Sequence, residues 1–330
     1  MFTGGHFAHQ RNANWLKEEI TMKDIKNVVV YGTGLMGKNI AYIMAANPAY
    51  NVIGYDIEDM DLHAAIRNNT KALVEAGAIT QEEVEARLSR ITFTTDINHE
   101  GIRNADLVIE AIFEVMELKQ KEFVKLEGIC STDCIFTTNT SVMSPSEISK
   151  DLKYRSRFVG THFWNPAHLI PLVEVVKTDA TSDEVAQQMM VVMAEVGKKP
   201  VLCKKDVPGF IGNRMQAALW REAISIVNQG IADAATVDMA VRNSFGLRLP
   251  QLGPLENTDM IGTDLVYNIH DYVLQFLEDS HRPSPMLEQL SKAGKIGFKT
   301  GEGFQKWTPE QIQASRDGLN AYLVKMLYGK

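Results

Sequence analysis

Cysteine is scarce in this chain, with three residues among 330, namely Cys130, Cys134 and Cys203. None of them sits in a Cys-x-x-Cys spacing, which argues against a disulfide framework. Such sparse cysteine usage is typical of proteins from a reducing compartment. We therefore expect a cytoplasmic protein.

Long apolar runs and an excess of positive charge are also missing. No run approaches the roughly 18 apolar residues that a membrane span needs. The net charge is −7, which disfavours a general attraction to nucleic acid or to an anionic membrane. We therefore expect neither as a partner. Apolar residues make up 45% and charged residues 23% of the chain, which is ordinary for a globular protein of one large or two medium domains.

The first 21 residues lack an apolar core and a small-residue cleavage site, so they do not resemble a secretory signal. Their few charges also make a poor transit peptide. Met22 then opens MKDIKNVVVYG, a natural start for a first strand. We expect residues 1–21 to be a flexible extension or a consequence of start-site choice. His6 and His9 are interpreted as solvated, and no metal site is expected.

Between residues 22 and 206, β-branched apolar runs alternate with helical patterns. The predicted strands cover 27–31, 51–56, 91–96, 106–112, 135–139, 157–163, 172–178 and 200–205. Predicted helices include 61–76, 80–89 and 182–196. A βαβ succession of this kind implies a parallel sheet with helices on both faces. The fold class is therefore α/β, with an N-terminal doubly wound sheet of the Rossmann type.

The pattern changes at Asp206-Val207-Pro208-Gly209, after which no convincing strand follows. Helical spacing returns at 210–230, 236–245, 258–278 and 309–327. We place the domain boundary here, with an α/β domain over 22–206 and an all-helical domain over 207–330. The helix over 210–230 has more apolar residues than the single apolar stripe of a surface helix requires. This indicates that it belongs to a core or to a dimer interface.

A glycine-rich turn follows the first predicted strand and opens a helix. Its sequence is Gly32-Thr33-Gly34-Leu35-Met36-Gly37, and Asp56 ends the next strand nineteen residues past Gly37. Gly32 permits the tight turn, Gly34 lets backbone amides approach a pyrophosphate, and Gly37 lets helix and strand pack closely. A carboxylate at Asp56 can accept from ribose hydroxyls and repels a 2′-phosphate, which predicts NAD rather than NADP. The alternative is that the glycines only allow a tight turn of the backbone and bind no nucleotide.

The segment THFWNPAHLIPLVEVV (161–176) places polar side chains in apolar runs. Buried polar groups are costly unless paired, so His162 and Glu174 either satisfy each other or form a reactive pair. A histidine titrates near neutral pH and can take the hydroxyl proton of an alcohol, with the carboxylate fixing its tautomer. Ser141 closes a neighbouring strand, and Asn213 opens the first helix after the boundary, within reach of the same cleft.

Six motifs carry a resemblance to a known family. They are VVVYGTGLMG, DLVIEAIFE, TTNTS, HFWNP with a Glu twelve residues after its His, DVPGFIGNR and GFKTGEGF. Over essentially all of residues 22–307 the chain resembles the L-3-hydroxyacyl-CoA dehydrogenase superfamily. The resemblance implies an NAD-binding Rossmann domain and a helical domain that commonly dimerises. It also implies that His162 is the catalytic base and that Glu174 orients it.

The resemblance implies further roles. Ser141 and Asn213 hydrogen-bond the substrate oxygens, and Asn165 lies at the nicotinamide. The remaining implied cofactor contacts come from Leu35 and Met36 of the turn and from Ser141, Glu114, Lys119 and Lys299. Three alternatives remain open: Ser141 as a helix cap, Asn213 as a partner of a backbone group, and Lys299 as a solvated surface residue. His168 is interpreted as a rim residue.

The substrate is less well defined by the sequence. In the CoA-using relatives, the helix after the acidic residue supplies a Ser and a Lys to the CoA, and residues 64–77 offer no secure equivalent. Arg67 and Lys71 share a helix face there, which is either an anion contact or a solvated face.

The segment FGLRLPQLGPLEN (245–257) is similar to relatives that act on free hydroxy acids, the carnitine and L-gulonate dehydrogenases. In that case Arg248 meets a substrate carboxylate, and the alternative is an interdomain or dimer salt bridge. Our first expectation is a short-chain 3-hydroxyacyl-CoA dehydrogenase. The second is a dehydrogenase of a free 3-hydroxy acid, and the third is a non-catalytic, crystallin-like NAD-binding protein. A homodimer through the helical domain is expected.

Overall fold

A computed structural model describes residues 22–329, and the predicted extension over residues 1–21 lies outside that range. The described chain divides into two compact units. The first, here called the sheet unit, consists of residues 22–213 and 320–329. The second, here called the helical unit, is Arg214–Leu319.

The sheet unit is built on one sheet of eight strands in the order β3-β2-β1-β4-β5-β6-β7-β8. The strands are β1 Asn27–Tyr31, β2 Asn51–Tyr55, β3 Ile91–Thr94, β4 Leu107–Glu110, β5 Ile135–Thr138, β6 Phe158–Phe163, β7 Leu172–Lys177 and β8 Lys199–Cys203. Chain order reverses between β1 and β4, which creates the crevice where ligands bind in doubly wound sheets. The predicted fold class is confirmed.

The sheet is parallel except at one pair, because β6 and β7 run antiparallel. The predicted parallel sheet therefore contains one antiparallel pair, which the sequence did not predict. The connection 164–171 is too short for the crossover that a parallel pair requires, whereas it closes an antiparallel pair readily. The antiparallel register sets His162 directly opposite Glu174.

Helices cover both faces of the sheet. They are α1 Gly37–Met44, α2 Leu62–Glu75, α3 Gln81–Leu88, α4 Glu100–Arg103, α5 Met116–Ile129, α6 Pro145–Ile148 and α7 Asp183–Glu195. Thr80 and Glu83 form the capping box that TQEE predicts at the start of α3. Central strands are buried on both sides, and one apolar cluster lies on each face of the sheet. Such a sheet holds its carboxyl edge rigidly.

The helical unit contains most of α8 Gly212–Asn228 and α13 Pro309–Tyr328, together with α9 Ala234–Arg242, α10 Pro254–Ile261, α11 Thr263–Val273 and α12 Pro285–Lys292. One helix was predicted over 258–278, but the chain breaks at Gly262, whose φ is 105°. The helix α12 was not predicted, and Pro285 occupies its first turn, where proline is tolerated. No helix within residues 22–329 is long and apolar enough to cross a membrane.

Burial differs sharply between the two units. Within 214–319, which the structure describes throughout, only Ser225 and Val237 are buried. The helix α8 therefore does not serve as a core element in this single chain. Its Met215, Leu219 and Trp220 are exposed.

Candidate active site

The glycine turn between β1 and α1 is held by close backbone packing. Gly32 has φ of 97°, and its N–H donates to the Tyr55 carbonyl oxygen at 2.8 Å. A Cβ on Gly37 would lie 1.7 Å from the carbonyl oxygen of Gly32, so no larger residue fits without backbone movement. At Gly34, by contrast, a Cβ would meet no protein atom within 4 Å. The turn is therefore tightly packed at Gly32 and Gly37 and unobstructed at Gly34.

The turn has the features that a dinucleotide requires. The N–H groups of Gly34, Leu35 and Met36 donate to no acceptor within residues 22–329, and they precede the N-terminus of α1. Unsatisfied N–H groups at a helix N-terminus favour a phosphate. Asp56 lies beside the turn, with Oδ2 accepting from the Thr33 N–H at 2.7 Å. The residues present therefore fit NAD, because these amides would receive the pyrophosphate and the Asp56 carboxylate would receive the ribose hydroxyls.

The structure brings His162 and Glu174 together across β6 and β7. Nδ1 of His162 lies 2.7 Å from Oε2 of Glu174, and both side chains are buried. Because a carboxylate only accepts hydrogen bonds, Nδ1 carries the proton. In a neutral imidazole this leaves Nε2 as an acceptor, and Nε2 has no hydrogen-bond partner among residues 22–329. The pair therefore presents an accepting ring nitrogen that has no protein partner among the described residues.

Glu174 receives four hydrogen bonds in all. Oε2 also accepts from the indole Nε1 of Trp164 at 3.2 Å, and Oε1 accepts from the N–H groups of Ile211 and Gly212 at 2.9 and 3.0 Å. Burial acts to raise the pKa of Glu174, but the bonds from His162 and the two backbone amides outweigh it and lower the pKa. The carboxyl is therefore ionised and rigidly held at neutral pH.

A strained turn delivers the two amides to Glu174. Phe210 has φ of 49°, which is uncommon for a non-glycine residue, and Ile211 and Gly212 follow it into α8. A Cβ on Gly212 would lie 2.5 Å from the ring of Trp164. The glycine therefore permits the indole to pack there. Trp164 and Phe210 flank the His162 ring, each with a centroid distance of 5.6 Å.

Ser141 and Asn213 also lie together. Nδ2 of Asn213 donates to the backbone carbonyl of Ser141 at 3.0 Å. The helix cap of α6 is Ser144 rather than Ser141, so the capping alternative for Ser141 was wrong. Asn139 accepts from the N–H of Phe163 at 2.8 Å and so ties the end of β5 to the end of β6. The side chain of Ser141 is exposed at this junction.

Lys119 is buried and joins the buried Glu110 and the exposed Glu114 in one network of charges. Lys119 is 1% exposed, and its ammonium pairs with Glu110 at 2.6 Å and with Glu114 at 3.2 Å. Glu114 also accepts from the Thr140 hydroxyl and from the N–H of Ser141. Burial acts to raise the pKa of Glu114, and the Thr140 bond and the Lys119 charge lower it instead. Lys119 thereby holds Glu114 against the segment that carries Ser141.

The other predicted site residues are exposed. Asn165 lies in the loop after β6, where its bond to Pro166 is cis. Arg248 and Lys299 belong to the helical unit and make no ion pair with a carboxylate within residues 214–319. Arg67 on α2 is bound by both carboxylate oxygens of Glu85, each at 2.8 Å. It is therefore already paired within the protein.

Sequence reasoning did not identify Trp164, Glu110 or the two amides of Ile211 and Gly212. The tryptophan stands inside the HFWNP motif, next but one to His162, so its proximity was visible although its bond to Glu174 was not. Backbone donors carry no sequence signal beyond the turn residues that aim them. No group of three or more His, Cys, Asp or Glu that could hold a metal occurs among the described residues.

Comparison with known proteins decides the family. The sequence matches the model of the 3-hydroxyacyl-CoA dehydrogenase NAD-binding domain over residues 27–207 and that of the 3-hydroxyacyl-CoA dehydrogenase C-terminal domain over residues 209–307. The chain belongs to the 3-hydroxyacyl-CoA dehydrogenase family. It is an NAD-dependent dehydrogenase that acts on a CH–OH group.

Individual relatives of this dehydrogenase differ in their named substrates. A probable 3-hydroxybutyryl-CoA dehydrogenase of Bacillus subtilis is 36% identical over 85% of this chain and 97% of its own length. A 5-formyl-3-hydroxy-2-methylpyridine 4-carboxylate 5-dehydrogenase of Mesorhizobium japonicum is 31% identical over 88% and 93%. A crystal structure of an enzyme with the latter activity, described as an NAD⁺-dependent dismutase, superimposes with a TM-score of 0.83 at 30% identity, covering 91% of this chain and 97% of that one.

Proposed function

We propose that the enzyme interconverts an L-3-hydroxyacyl-CoA of short chain and the 3-ketoacyl-CoA, with His162 as the general base. The observation that carries the proposal is the 2.7 Å bond between Nδ1 of His162 and Glu174, because it leaves Nε2 to accept the hydroxyl proton. NAD, when bound, supplies the acceptor for the hydride on C3. A positioned base contributes roughly 10²–10⁴ in rate.

Glu174 stabilises the imidazolium that His162 becomes after it takes the proton. Its lowered pKa supports this role, because the carboxyl remains charged at the pH where the histidine works. Ser141 and Asn213 are proposed to hold the substrate oxygens beside Nε2 of His162. Their junction supports this assignment, since Asn213 fixes the backbone of Ser141 while the Ser141 side chain stays exposed.

The cofactor is proposed to contact the turn residues Gly32, Gly34, Leu35, Met36 and Gly37. Further contacts are proposed from Asp56, Glu114, Ser141, Asn165, Lys119 and Lys299. Lys119 is buried and forms an ion pair with Glu114. Its proposed effect on the cofactor is therefore exerted by positioning Glu114 rather than through a broad direct contact.

A second candidate is a substrate that carries a free carboxylate. Two observations favour it: α2 offers no unpaired arginine for CoA, because Glu85 binds Arg67, and a pyridine carboxylate dehydrogenase is among the similar proteins. Arg248, which makes no ion pair within its own unit, is then proposed to bind the carboxylate through a bidentate pair.

One assay separates the two candidates. NADH oxidation is measured with acetoacetyl-CoA and, under the same conditions, with free acetoacetate and dehydrocarnitine. Turnover with acetoacetyl-CoA at kcat/KM at least tenfold above both free acids supports the first proposal. The reverse order, with the activity lost in Arg248→Gln but retained in the neighbouring Arg242→Gln, supports the second. No oxidation with any of them contradicts both proposals.

We also propose that the enzyme is a cytoplasmic homodimer formed through the helical unit. The compartment is supported by the buried thiols of Cys130 and Cys134, which a reducing milieu preserves. The dimer is supported by exposed apolar side chains throughout the helical unit, including Met215, Leu219, Trp220, Met239, Leu255, Met260, Tyr267, Tyr272 and Phe276. Exposed apolar surface on this scale marks an interaction face.

A further inference from the structure

The sheet unit contains a cavity of about 320 Å³ that the proposed reaction does not use. It lies between the end of α1, the α2–α3 hairpin, the loop 164–171, the start of β8 and the last turn of α13. Part of its wall is apolar and includes Leu73, Ile79, Val196 and Leu327. The space is sufficient for a small organic molecule rather than for water alone.

The rest of the wall is positively charged. Arg87, Lys198 and Lys199 line the cavity, and no Asp or Glu does. Lys198 is only 9% exposed, and its ammonium donates to the carbonyl oxygens of Ala167 and Ile170. Within residues 22–329 neither Lys198 nor Arg87 forms an ion pair with a carboxylate. A buried ammonium without a counter-charge is costly, so the wall is suited to an anion.

Two buried polar atoms on this wall lack partners. The Oη of Tyr42 and the Nδ1 of His168 are inaccessible to solvent and have no hydrogen-bond partner in the part of the chain that the structure describes. Tyr42 is 4% exposed, and the Arg87 guanidinium stacks 4.6 Å from its ring centroid. Burial, together with the charge of Lys198, lowers the pKa of His168 to about 4, so its imidazole is neutral at pH 7. Both atoms therefore have unused hydrogen-bonding capacity, which is uncommon for buried polar groups.

We propose that this cavity binds a small organic carboxylate with an apolar body, its head group at Tyr42, Arg87 and Lys198 and its body against Leu73 and Ile79. The carboxylate supplies the counter-charge that the two cations lack and accepts from the Tyr42 hydroxyl. The apolar wall accommodates the alkyl part. This binding does not depend on the reaction proposed for His162.

The test is isothermal titration of the full-length enzyme with hexanoate. Parallel titrations use hexanamide, which keeps the shape but not the charge, and inorganic phosphate, which keeps a charge but has no apolar body. We expect hexanoate to bind with a Kd of roughly 1 mM or tighter. Hexanamide and phosphate should each bind at least tenfold more weakly.

Three variants locate the site. Tyr42→Phe removes only the unpartnered hydroxyl and should fold normally, while weakening hexanoate binding roughly tenfold, as expected for a hydrogen bond to a charged group. Arg87→Gln should weaken it by a similar factor. Lys71→Gln, which removes a charge from the exposed face of α2 outside the cavity, is the matched control and should bind as the wild type does.

The proposal is overturned if hexanoate does not bind, or if hexanamide or phosphate binds equally well. It is also overturned if Tyr42→Phe and Arg87→Gln leave the affinity unchanged. If His162→Gln abolishes hexanoate binding while Tyr42→Phe and Arg87→Gln do not, the measured binding occurs at the candidate active site. That result would also contradict a separate cavity site.

Discussion

At the scale of single residues, the site depends on how one carboxylate is satisfied. Glu174 accepts from the His162 imidazole, the Trp164 indole and two backbone amides, so each of its oxygens is doubly occupied. A carboxylate held in this way cannot rotate and cannot take a proton without losing a bond. The tautomer of His162 follows directly from it.

Replacing Trp164 by Phe tests the indole bond. Phe keeps an aromatic ring beside His162 but removes the donor to Glu174, which costs about 1 kcal/mol. We expect kcat to fall by up to roughly tenfold while KM for NAD is unchanged, because Trp164 contacts His162 and Glu174 and not the glycine turn. Steady-state kinetics measure this, with Trp307→Phe in the helical unit as the matched control. Unchanged kcat in Trp164→Phe would show that the indole bond does not matter.

The difference in unfolding free energy between the wild type and Glu174→Gln should depend on pH. The folded-state pKa of Glu174 is lowered from the ordinary 4.5, so its contribution to stability is present above that value and is lost as pH falls toward the lowered pKa. At pH 7 we expect the variant to lose about 1–3 kcal/mol of unfolding free energy. The side-chain NH2 of the glutamine would replace a carboxylate oxygen and face N–H donors, which leaves those donors without an acceptor. Urea unfolding between pH 7 and pH 3 measures the difference from wild type. A difference that does not shrink below pH 4.5 would contradict the assignment.

At the scale of elements, the sequence predicts the sheet well and its local exceptions poorly. Hydrophobic runs locate the eight strands, most of which are buried, although β8 at the sheet edge is largely exposed. The antiparallel turn into β7 was not predicted, since periodicity reports burial and not direction. The same limit applies to the break at Gly262, where helical spacing continues on both sides of a residue with positive φ. His162 and Glu174 were nevertheless predictable as a pair from their types and spacing.

The glycines of the β1–α1 turn should respond differently to alanine. Gly37→Ala forces a Cβ onto the Gly32 carbonyl, so both folding stability and NAD affinity should fall, the latter at least tenfold. Gly34→Ala meets no protein atom and should fold normally while NAD affinity falls. Thermal unfolding and NAD titration distinguish the two.

The control for the glycine variants is Gly128→Ala in α5, which meets nothing within 4 Å. An alanine inside a helix is favoured over glycine by roughly 0.5–1 kcal/mol, so this variant should be slightly stabilised with unchanged NAD affinity. Normal NAD affinity in both Gly34→Ala and Gly37→Ala would refute the proposed cofactor position.

At the scale of the whole molecule, the two units differ in how they are stabilised. The sheet unit has a buried core on each face of its sheet, whereas only Ser225 and Val237 are buried within residues 214–319. A helical segment of that length needs more buried apolar area than this to be stable. The sequence predicted the helical class of the second unit from spacing, but the same spacing does not tell a core stripe from an interface stripe.

The proposed dimer is tested by light scattering after size exclusion. We expect a species of twice the mass of one chain. Met215 and Leu219 lie four residues apart on α8 and share an exposed face, so Leu219→Asp should shift the species toward the single chain and lower its melting temperature. Ser291→Asp adds the same charge at an exposed polar position of α12 and should remain dimeric. A wild-type enzyme that elutes as a single chain would contradict the proposal.

The central claim is that His162 takes the hydroxyl proton, and His162→Gln tests it most directly. The glutamine can still donate to Glu174, so the fold and the glycine turn should be preserved. We predict an unchanged Kd for NAD by titration and a kcat lower by roughly 10²–10⁴ for the substrate that the assay above identifies. A variant that binds NAD normally and turns over at close to the wild-type rate would contradict the account.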